Sequence, residues 1–238
     1  MSKKTVSWEQ IADILIEDFT KKDYKKDEKM MSENEMAIRF GVPRAEIRRA
    51  YERLKELGYI YSIQGCGSFF SGKKEKIRLV LTDSSSFSEK MKKLNVNYRS
   101  VNLGAEKLKE TSPVFGLLNA KPDEPVYKIT RLRLVDQNPV AIHTSYVSQE
   151  NFPQIAKDAS SVTSLFEYIK NCGYTDFSNE NSDITVSSLT AKERKLLNVQ
   201  GFAPCLILTT KCISQNDHKI LEVARTVYRS DKFVFVLR

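Results

Sequence analysis

Two short amphipathic segments between Ser32 and Gly58 constrain the fold of this chain more than any other feature of its sequence. The first begins at Ser32, which has a glutamate three residues later in the spacing of a capping box, and it ends at Gly41. The second follows Pro43, a residue that suits the first turn of a helix, and it ends at Gly58. Its apolar residues recur at helical spacing at Ile47, Ala50, Leu54 and Leu57. Two short helices joined by a tight turn are typical of a helix-turn-helix.

The segments on either side of these helices extend the pattern to a winged helix. A first helix is predicted from Ser7 to Thr20, because Ser7 and Gln10 have the spacing of a second capping box. Its apolar stripe consists of Trp8, Ile11, Ala12, Leu15 and Phe19. Residues 59–63 and 68–70 have the pattern of two short strands around a glycine-containing turn. We therefore predict a winged helix-turn-helix over residues 1–72.

A polar stretch around residues 73–76 separates this region from a longer one in which alternating patterns dominate. We interpret residues 73–76 as a linker and residues 77–238 as a second domain. Its strands are predicted at residues 77–81, 98–103, 126–135, 140–147, 184–188, 206–213, 221–228 and 233–237. Helices are expected to start near Ser86, Ser112, Ser164 and Thr190. The expected fold class is α+β, with a mixed or antiparallel sheet on which helices pack.

Composition excludes several classes of protein. No run of about 18 apolar residues is present and no apolar core follows the first lysines, so we expect a cytoplasmic protein without a membrane span. The four cysteines include no Cys-x-x-Cys pair, which argues against a zinc site or a disulfide framework, and we expect neither metal nor cofactor. The net charge of +8 fits a nucleic-acid partner. Residues 1–78 carry 17 Lys and Arg against 13 Asp and Glu, and the rest 21 against 17, so charge alone does not locate a DNA-binding domain.

The N-terminal motifs match a known family in order and spacing. The matching segments are Met30–Ala37, Phe40–Arg44, Ile47–Ala50, Leu54, Gly58–Ile60 and Gly65–Phe69. Together they closely resemble the DNA-binding domain of the GntR family of transcription regulators. The resemblance implies a winged helix whose third helix enters the major groove and whose wing tip approaches the DNA. Three positions depart from the family pattern, Asn34, Pro43 and Glu46, so the operator sequence cannot be transferred from other members.

The third helix carries the residues that physical reasoning also assigns to DNA. Arg44 and Arg48 lie one turn apart near its N-terminal end, away from the apolar stripe, where a recognition helix contacts base edges. Arginine suits bidentate contact with guanine, whereas Arg49 and Lys55 are better placed for phosphates. A carboxylate at Glu46 would repel phosphate but could accept a hydrogen bond from cytosine. The candidate DNA-binding residues are Ser32, Asn34, Arg44, Ala45, Glu46, Arg48, Arg49, Gly65 and Gly67. The alternative is a merely solvated basic face and an ordinary hairpin turn.

Residues 77–238 resemble, more loosely, the UTRA domain of the HutC subgroup. The matching segments are Ser86–Ser88, Arg131–Arg133, Pro139–Ala141, Ser164–Phe166, Glu222 and Tyr228–Phe233. The resemblance implies a fold like that of chorismate lyase, a role in effector binding, and a phosphorylated sugar as the usual class of effector. Two departures, His143 in place of a common glutamate and Phe166 in place of a common tyrosine, leave the identity of the sugar open.

Strand parity independently predicts an anion pocket in this domain. Arg131 and Arg133 share one face of a largely apolar strand, where two positive charges are costly unless an anion meets them. Residues 86–88 would present free backbone amides at a helix start, which is a ready anion site. Glu222, on a later strand, would bind hydroxyl or amino groups of the same ligand. The candidate effector-binding residues are Ser86, Phe87, Ser88, Arg131, Arg133, His143, Ser164, Phe166, Glu222 and Tyr228. The alternatives are a structural salt bridge at the sheet surface for the arginines and, favoured for Phe166, plain core packing.

These features predict a homodimeric transcription regulator. It would repress by holding a pseudo-palindromic double-stranded DNA operator and would let go when a small anionic effector, such as a phosphorylated sugar or a related metabolite, binds. Dimerisation is expected mainly in the second domain, through its later strands. Two alternatives remain: a lyase-like enzyme, which two histidines and no nucleophile–base spacing make weak, and a DNA-binding protein whose second domain binds no ligand.

Overall fold

The fold was analysed in a computed structural model that describes residues 6–22, 24–72, 76–81, 85–109 and 112–236. The chain divides into two compact units, one formed by the residues up to Lys76 together with Gln200–Ala203, and the other by the remainder. Of the predicted linker at residues 73–76, all but Lys76 lies outside the described residues, as does the end of the strand predicted at residues 233–237.

The first unit is a winged helix-turn-helix, as predicted. Its elements are α1 (Trp8–Lys21), α2 (Glu33–Phe40), α3 (Arg44–Glu56), β1 (Ile60–Ile63) and β2 (Gly67–Phe70). The capping boxes expected at Ser7 and Ser32 are both formed. Gly41 ends α2 with a φ of 64°, a left-handed conformation that favours glycine and lets the chain turn at once into α3. Pro43 differs from the prediction, because it is the residue before the first helical turn of α3.

A single core holds the helices and the hairpin of this unit together. The predicted stripe of α1 is buried at Ile11, Ala12, Leu15 and Phe19, while Trp8 packs at its edge. On α3 the buried face consists of Ile47, Ala50, Tyr51 and Leu54. Because all of α3's buried residues lie on one face, the opposite face is left to solvent with its arginines.

The second unit is α+β and is built on an antiparallel six-stranded sheet, which confirms the predicted fold class. Its strands are β3 (Ile77–Val80), β4 (Tyr98–Lys107), β5 (Val126–Val135), β6 (Asn138–Ser148), β7 (Phe177–Ser188), β8 (Pro204–Ser214), β9 (Ile220–Arg229) and β10 (Phe233–Val236). The sheet order is β4-β5-β6-β9-β8-β7, and β3 pairs with β10 in a separate parallel pair. The helices are α4 (Phe87–Lys93), α5 (Val114–Leu118), α6 (Ile155–Asp158), α7 (Leu165–Asn171) and α8 (Ala191–Leu197).

The largest differences from the sequence prediction in this unit concern strand β7 and helix α6. Strand β7 begins at Phe177 rather than at residue 184, because the polar run before Asp183 is drawn into the sheet by pairing with β8. Helix α6 was not predicted, since a single turn of four residues is too short to show a helical period. Neither difference moves the residues of the central strands β5, β6 and β9, which lie side by side in the sheet.

Candidate functional site

The solvent face of α3 presents the arginines that the sequence assigned to DNA, and each has a glutamate partner. Arg44 donates from Nε to Glu33 Oε2 at 2.8 Å, and Arg48 donates to Glu52 at 3.3 Å, one turn further along α3. The side chains of Arg44 and Arg48 remain 65% and 70% exposed. Both are therefore accessible to an incoming duplex, with ion pairs that water already screens.

Glu46 is engaged inside the unit in a way that the sequence did not reveal. Its Oε2 accepts the backbone N–H of Trp8 at 3.2 Å, at the start of α1, and its Oε1 accepts from Arg49 at 3.4 Å. Both carboxylate oxygens thus have donors within the protein. The carboxylate ties α3 to α1, which is a structural role beside the expected effect on cytosine or phosphate.

The remaining candidate DNA-binding residues lie at the surface of the unit. Ser32 caps α2, and Asn34 and Ala45 are exposed. At the tip of the hairpin Gly65 and Gly67 have φ angles of 77° and 114°, values that L side chains rarely adopt. Glycine is therefore required there by the backbone of the turn, and its missing side chain also leaves room for close approach.

All ten candidate effector-binding residues line one cavity of the second unit. They are Ser86, Phe87, Ser88, Arg131, Arg133, His143, Ser164, Phe166, Glu222 and Tyr228. They come from α4, β5, β6, α7 and β9, so the cavity lies over the middle of the sheet between two helix starts. Parity found the four on β5 and β9, because alternate side chains of a strand share one face, and the resemblance to the UTRA domain found the other six.

Arg131 is held by the protein itself. Its guanidinium donates from Nη2 to the Ser145 hydroxyl, which in turn donates to Glu222 Oε1, and the same Nη2 lies 3.7 Å from that oxygen. The Arg131 side chain is only 3% exposed, so burial lowers its pKa to about 10, an effect that the charge of Glu222 opposes and that of Arg133 reinforces. Among the described residues Arg131 Nε is the one buried side-chain nitrogen or oxygen without a hydrogen-bond partner. The salt bridge considered as an alternative is therefore present, but it is buried under the cavity rather than placed at the sheet surface.

His143 is neutral and fully committed to protein partners. Its Nδ1 lies 2.7 Å from Thr226 Oγ1, and its Nε2 lies 3.3 Å from Glu222 Oε1. Burial, with smaller contributions from Arg133 and Arg131, lowers the pKa of His143 to about 3. A neutral ring fits these contacts if Nε2–H donates to Glu222 and Nδ1 accepts from the Thr226 hydroxyl.

Glu222 stays ionised at the centre of this network. Burial alone would raise its pKa, but the hydrogen bond from His143, the charge of Arg131 and the Ser145 hydroxyl lower it further than burial raises it. Its hydrogen bonds and ion pairs with described residues are all made by Oε1, and Oε2 makes none. Glu222 Oε2 is thus left to accept a hydrogen bond from a ligand.

Arg133 is placed differently from Arg131. Its guanidinium lies over the ring of Phe87, 4.2 Å from the ring centroid, and it forms no ion pair or hydrogen bond with any described residue. Burial lowers the pKa of Arg133, while the neighbouring Tyr228 and Glu222 side chains oppose that effect. The guanidinium is therefore a cation at the cavity wall whose N–H donors have no oxygen partner in the described part of the chain.

The serine residues at the two helix starts act as caps, and of the amides expected to be free at residues 86–88, that of Ser86 is already bonded. Ser86 accepts from the Glu89 backbone N–H at 3.1 Å, and the Glu89 carboxylate accepts the Ser86 N–H at 2.7 Å. Ser164 likewise accepts from the Glu167 N–H at 3.3 Å. The amide of Ser86 is therefore occupied, and α4 is too short to act as an anion site through its N-terminus alone.

Two aromatic residues close the cavity. Phe166 is half-buried and packs edge-on against Phe177, with 4.7 Å between the two ring centroids. The ammonium of Lys170 lies 4.5 Å from the centroid of the Phe166 ring. Tyr228 is 5% exposed and packs against Phe233. Phe166 thus combines the favoured packing role with a position on the cavity wall.

Ser145 and Thr226 are the residues of this network that sequence reasoning missed. Ser145 follows His143 by two positions on β6, so parity could have placed it on the same face. Thr226 lies directly opposite His143 in the pairing of β6 and β9. That contact depends on strand register, which the sequence does not specify between segments so far apart.

No described group of three His, Cys, Asp or Glu side chains is arranged to hold a metal ion. In the same part of the chain no helix has the length and apolar character needed to cross a membrane.

Comparison with known proteins agrees with both units. The model of the bacterial regulatory proteins of the gntR family matches residues 8–70, and that of the UTRA domain matches residues 93–234. The transcriptional repressor NagR of Bacillus subtilis is 29% identical over 205 residues, which cover 86% of this chain and 83% of that protein. The repressor MngR of the mannosyl-D-glycerate transport and metabolism system of Escherichia coli is 24% identical over 230 residues, covering 97% and 94%.

Solved structures give the same fold. The crystal structure of PhnF from Mycobacterium smegmatis superposes with a TM-score of 0.62 at 22% identity, covering 96% of this chain and 98% of that one. Because the gntR and UTRA matches follow one another along the chain, and the relatives are transcription regulators rather than enzymes, the chain belongs to the gntR family of DNA-binding bacterial transcription regulators that carry a UTRA domain.

Proposed function

We propose that this chain is a homodimeric repressor that leaves its operator when a small anion, a phosphorylated sugar or a related metabolite, occupies the cavity of the second unit. The observation that carries the proposal is the guanidinium of Arg133 at the cavity wall, without an oxygen partner among the described residues. A guanidinium is planar and presents five N–H donors in a fork that matches phosphate and carboxylate oxygens. Arg131 lies behind it and adds positive potential, although Glu222 already pairs with it.

The rest of the cavity fits the uncharged part of such a ligand. Glu222 Oε2 is available for a ligand hydroxyl, and Phe166 offers an apolar wall. His143 uses both ring nitrogens within the protein, so it offers the ligand a surface rather than a hydrogen bond. Relatives point in the same direction, because MngR is named for mannosyl-D-glycerate and the repressor TreR of Bacillus subtilis for trehalose.

The DNA half of the proposal assigns base reading to Arg44 and Arg48 and phosphate contacts to Arg49 and Lys55. All four are exposed on α3, and the first two stand near its N-terminal end. Ser32, Asn34, Ala45 and the wing glycines would complete the contact surface. Effector binding releases the operator only if the ligand binds the DNA-incompetent arrangement more tightly than the DNA-bound one.

The edge of the sheet supports the proposed homodimer. Strand β7 ends the six-stranded sheet, and none of the described strands pairs with its outer side. Its Ile184 and Val186 side chains are 44% and 77% exposed. An uncovered edge with exposed apolar residues is a surface on which another strand can add, and a second copy of the chain would supply one.

The test is effector-driven release of a labelled operator, with the operator first selected from random duplexes by the purified protein. Fluorescence anisotropy would follow release by glucose 6-phosphate and trehalose 6-phosphate, with glucose and trehalose as uncharged controls. We expect release by a phosphorylated member only. In Arg133→Ala the ligand concentration needed should rise by about one to two orders of magnitude, since a charge-assisted contact contributes about 1.5–3 kcal/mol.

Arg225→Ala is the matched control, because Arg225 lies on β9 outside the cavity and pairs with Glu193. Melting curves would be recorded for each variant without ligand. Normal release by Arg133→Ala would remove this residue from the site, and release by the sugars without phosphate would contradict an anionic effector.

A further inference from the structure

The two cavity arginines stand two residues apart on β5 but have opposite kinds of neighbour. Arg131 meets oxygen atoms, those of Ser145 and Glu222. Arg133 meets the face of an aromatic ring, with Phe87 4.2 Å from its guanidinium carbon. Both side chains face the same cavity, so their partners decide what each can still bind. The guanidinium of Arg131 already meets oxygen atoms of the protein, whereas that of Arg133 can still meet those of a ligand.

A ring face and a carboxylate hold a guanidinium in different ways. A carboxylate takes up N–H donors in the plane of the group and neutralises its charge. A ring face attracts the cation through its quadrupole, and a guanidinium stacked flat on the ring uses none of its in-plane donors. Arg133 therefore keeps its charge and its donors while its orientation is fixed.

The Phe87 ring is itself held in place. It packs edge-to-face with Tyr98, 6.1 Å between ring centroids and 74° between ring planes, and it belongs to the apolar cluster around Leu79 and Met91. Tyr98 starts β4, which runs beside β5 in the sheet. The support for Arg133 thus comes from two elements of the fold rather than from one flexible side chain.

We propose that Phe87 is a positioning residue for the anion site: its ring holds the Arg133 guanidinium flat against the cavity wall so that the in-plane N–H donors face a bound oxyanion. This inference depends on the proposed anion cavity and gives Phe87, already a candidate effector-binding residue, a role through Arg133 rather than through contact of its ring with the anion. An aliphatic side chain of similar size at position 87 would fill the space but would not orient the cation.

The experiment uses the full-length protein labelled with nitrogen-15 and records the Nε–Hε resonance of Arg133, assigned from its absence in Arg133→Lys. In wild type the ring current of Phe87 shifts this proton upfield, and Phe87→Leu and Phe87→Met both remove the shift. Phe87→Tyr retains it, because the ring is kept. Phe115→Leu is the matched control, since Phe115 packs in a separate apolar cluster away from the cavity.

Inorganic phosphate is then titrated while the same resonance is followed. Loss of the ring contact is expected to weaken phosphate binding about 3- to 30-fold in Phe87→Leu and Phe87→Met. Phe87→Tyr and Phe115→Leu should bind as wild type does.

Three outcomes are decisive. Wild-type phosphate affinity in Phe87→Leu or Phe87→Met, with the ring-current shift lost, would overturn the positioning role. Absence of the ring-current shift in wild type would overturn the contact between Phe87 and Arg133. This measurement does not depend on whether any variant folds. A wild-type Arg133 resonance that carries the ring-current shift but does not respond to phosphate would instead refute the anion cavity of the proposed function.

Discussion

Replacing Arg131 by methionine tests whether this arginine stabilises the fold rather than binding a ligand. The Arg131 side chain is 3% exposed and that of Glu222 is 12% exposed, with 3.7 Å between Nη2 and Oε1. Removal of one partner of a buried pair costs about 3–5 kcal/mol of unfolding free energy, because the other charge stays buried without compensation. Glu222 retains the donors of Ser145 and His143, so we expect a loss near the lower end, about 3 kcal/mol.

Strand β9 of the same sheet offers a matched control. Arg225 on β9 pairs with Glu193 at the shorter distance of 3.0 Å, but its side chain is 39% exposed. Since solvent screens this pair, Arg225→Met should cost at most about 1 kcal/mol. Burial of the ion pair, rather than the distance between its charges, thus decides which variant loses more unfolding free energy.

Urea unfolding followed by two probes separates the units. Trp8 is the only tryptophan and lies in the first unit. The urea transition that its fluorescence reports should therefore be the same in Arg131→Met as in wild type. Far-ultraviolet circular dichroism also reports the sheet, and its transition should move to lower urea. The double variant Arg131→Met/Glu222→Gln should lose less stability than the sum of the single variants, because the pair is coupled. A loss in Arg131→Met no larger than in Arg225→Met, or full additivity in the double variant, would refute the buried pair.

Three further predictions follow from the same geometry. Because the pKa of His143 is lowered to about 3, the unfolded chain takes up a proton below its reference pKa of about 6.5 while the folded chain does not. Unfolding free energy should therefore fall by up to about 1.4 kcal/mol per pH unit as the pH is lowered from 6.5 to 5. In urea titrations, His143→Gln should flatten this slope. A slope in His143→Gln equal to that of wild type would contradict a neutral His143. Arg48→Ala should relax base preference at one position per half-site, whereas Lys55→Ala should lower the affinity for all duplexes alike. Both effects would be measured by binding to single-base operator variants. Unchanged base preference in Arg48→Ala would contradict base reading by this residue. Residues 1–72 alone should fold but bind the operator much more weakly than the full chain in the same anisotropy assay, because the second half-site is lost; equal affinity would contradict a dimer.

The sequence was a good guide to elements whose determinants are local. Capping boxes at Ser7, Ser32, Ser86 and Thr190 fix where helices begin, and they are formed because both members of a box lie three residues apart in the same segment. For Arg131 and Arg133 on β5, and for Glu222 and Tyr228 on β9, the face also follows from local parity. The other six candidate cavity residues were found through the resemblance to the UTRA domain, and neither route required knowledge of how the strands pair.

The sequence was a poor guide to anything that depends on which strands are neighbours. Arg131 and Glu222 are far apart in the chain and meet through Ser145 because β6 lies between β5 and β9. Without that order, both arginines looked equally in need of an anion. Strand order therefore separates a buried structural arginine from Arg133, and the same order brings Thr226 opposite His143.

Helix α3 shows how the arginines proposed to read bases can be both ordered and available. Arg44 and Arg48 are held by glutamates in pairs that remain largely exposed, and such pairs contribute at most about 1 kcal/mol. A bidentate contact with guanine contributes about 1–3 kcal/mol of discrimination, so DNA can replace the glutamates at little cost.

Arg49 is in a different position because its partner is not free to leave. The Glu46 side chain is 26% exposed and also accepts the Trp8 N–H at the start of α1, so its carboxylate stays beside Arg49 when DNA arrives. A phosphate near Arg49 would therefore meet a cation whose charge is already partly compensated and a carboxylate that repels it. We accordingly expect the sequence-independent part of DNA affinity to depend more on Lys55 than on Arg49, although both were assigned to phosphates by their place on the helix.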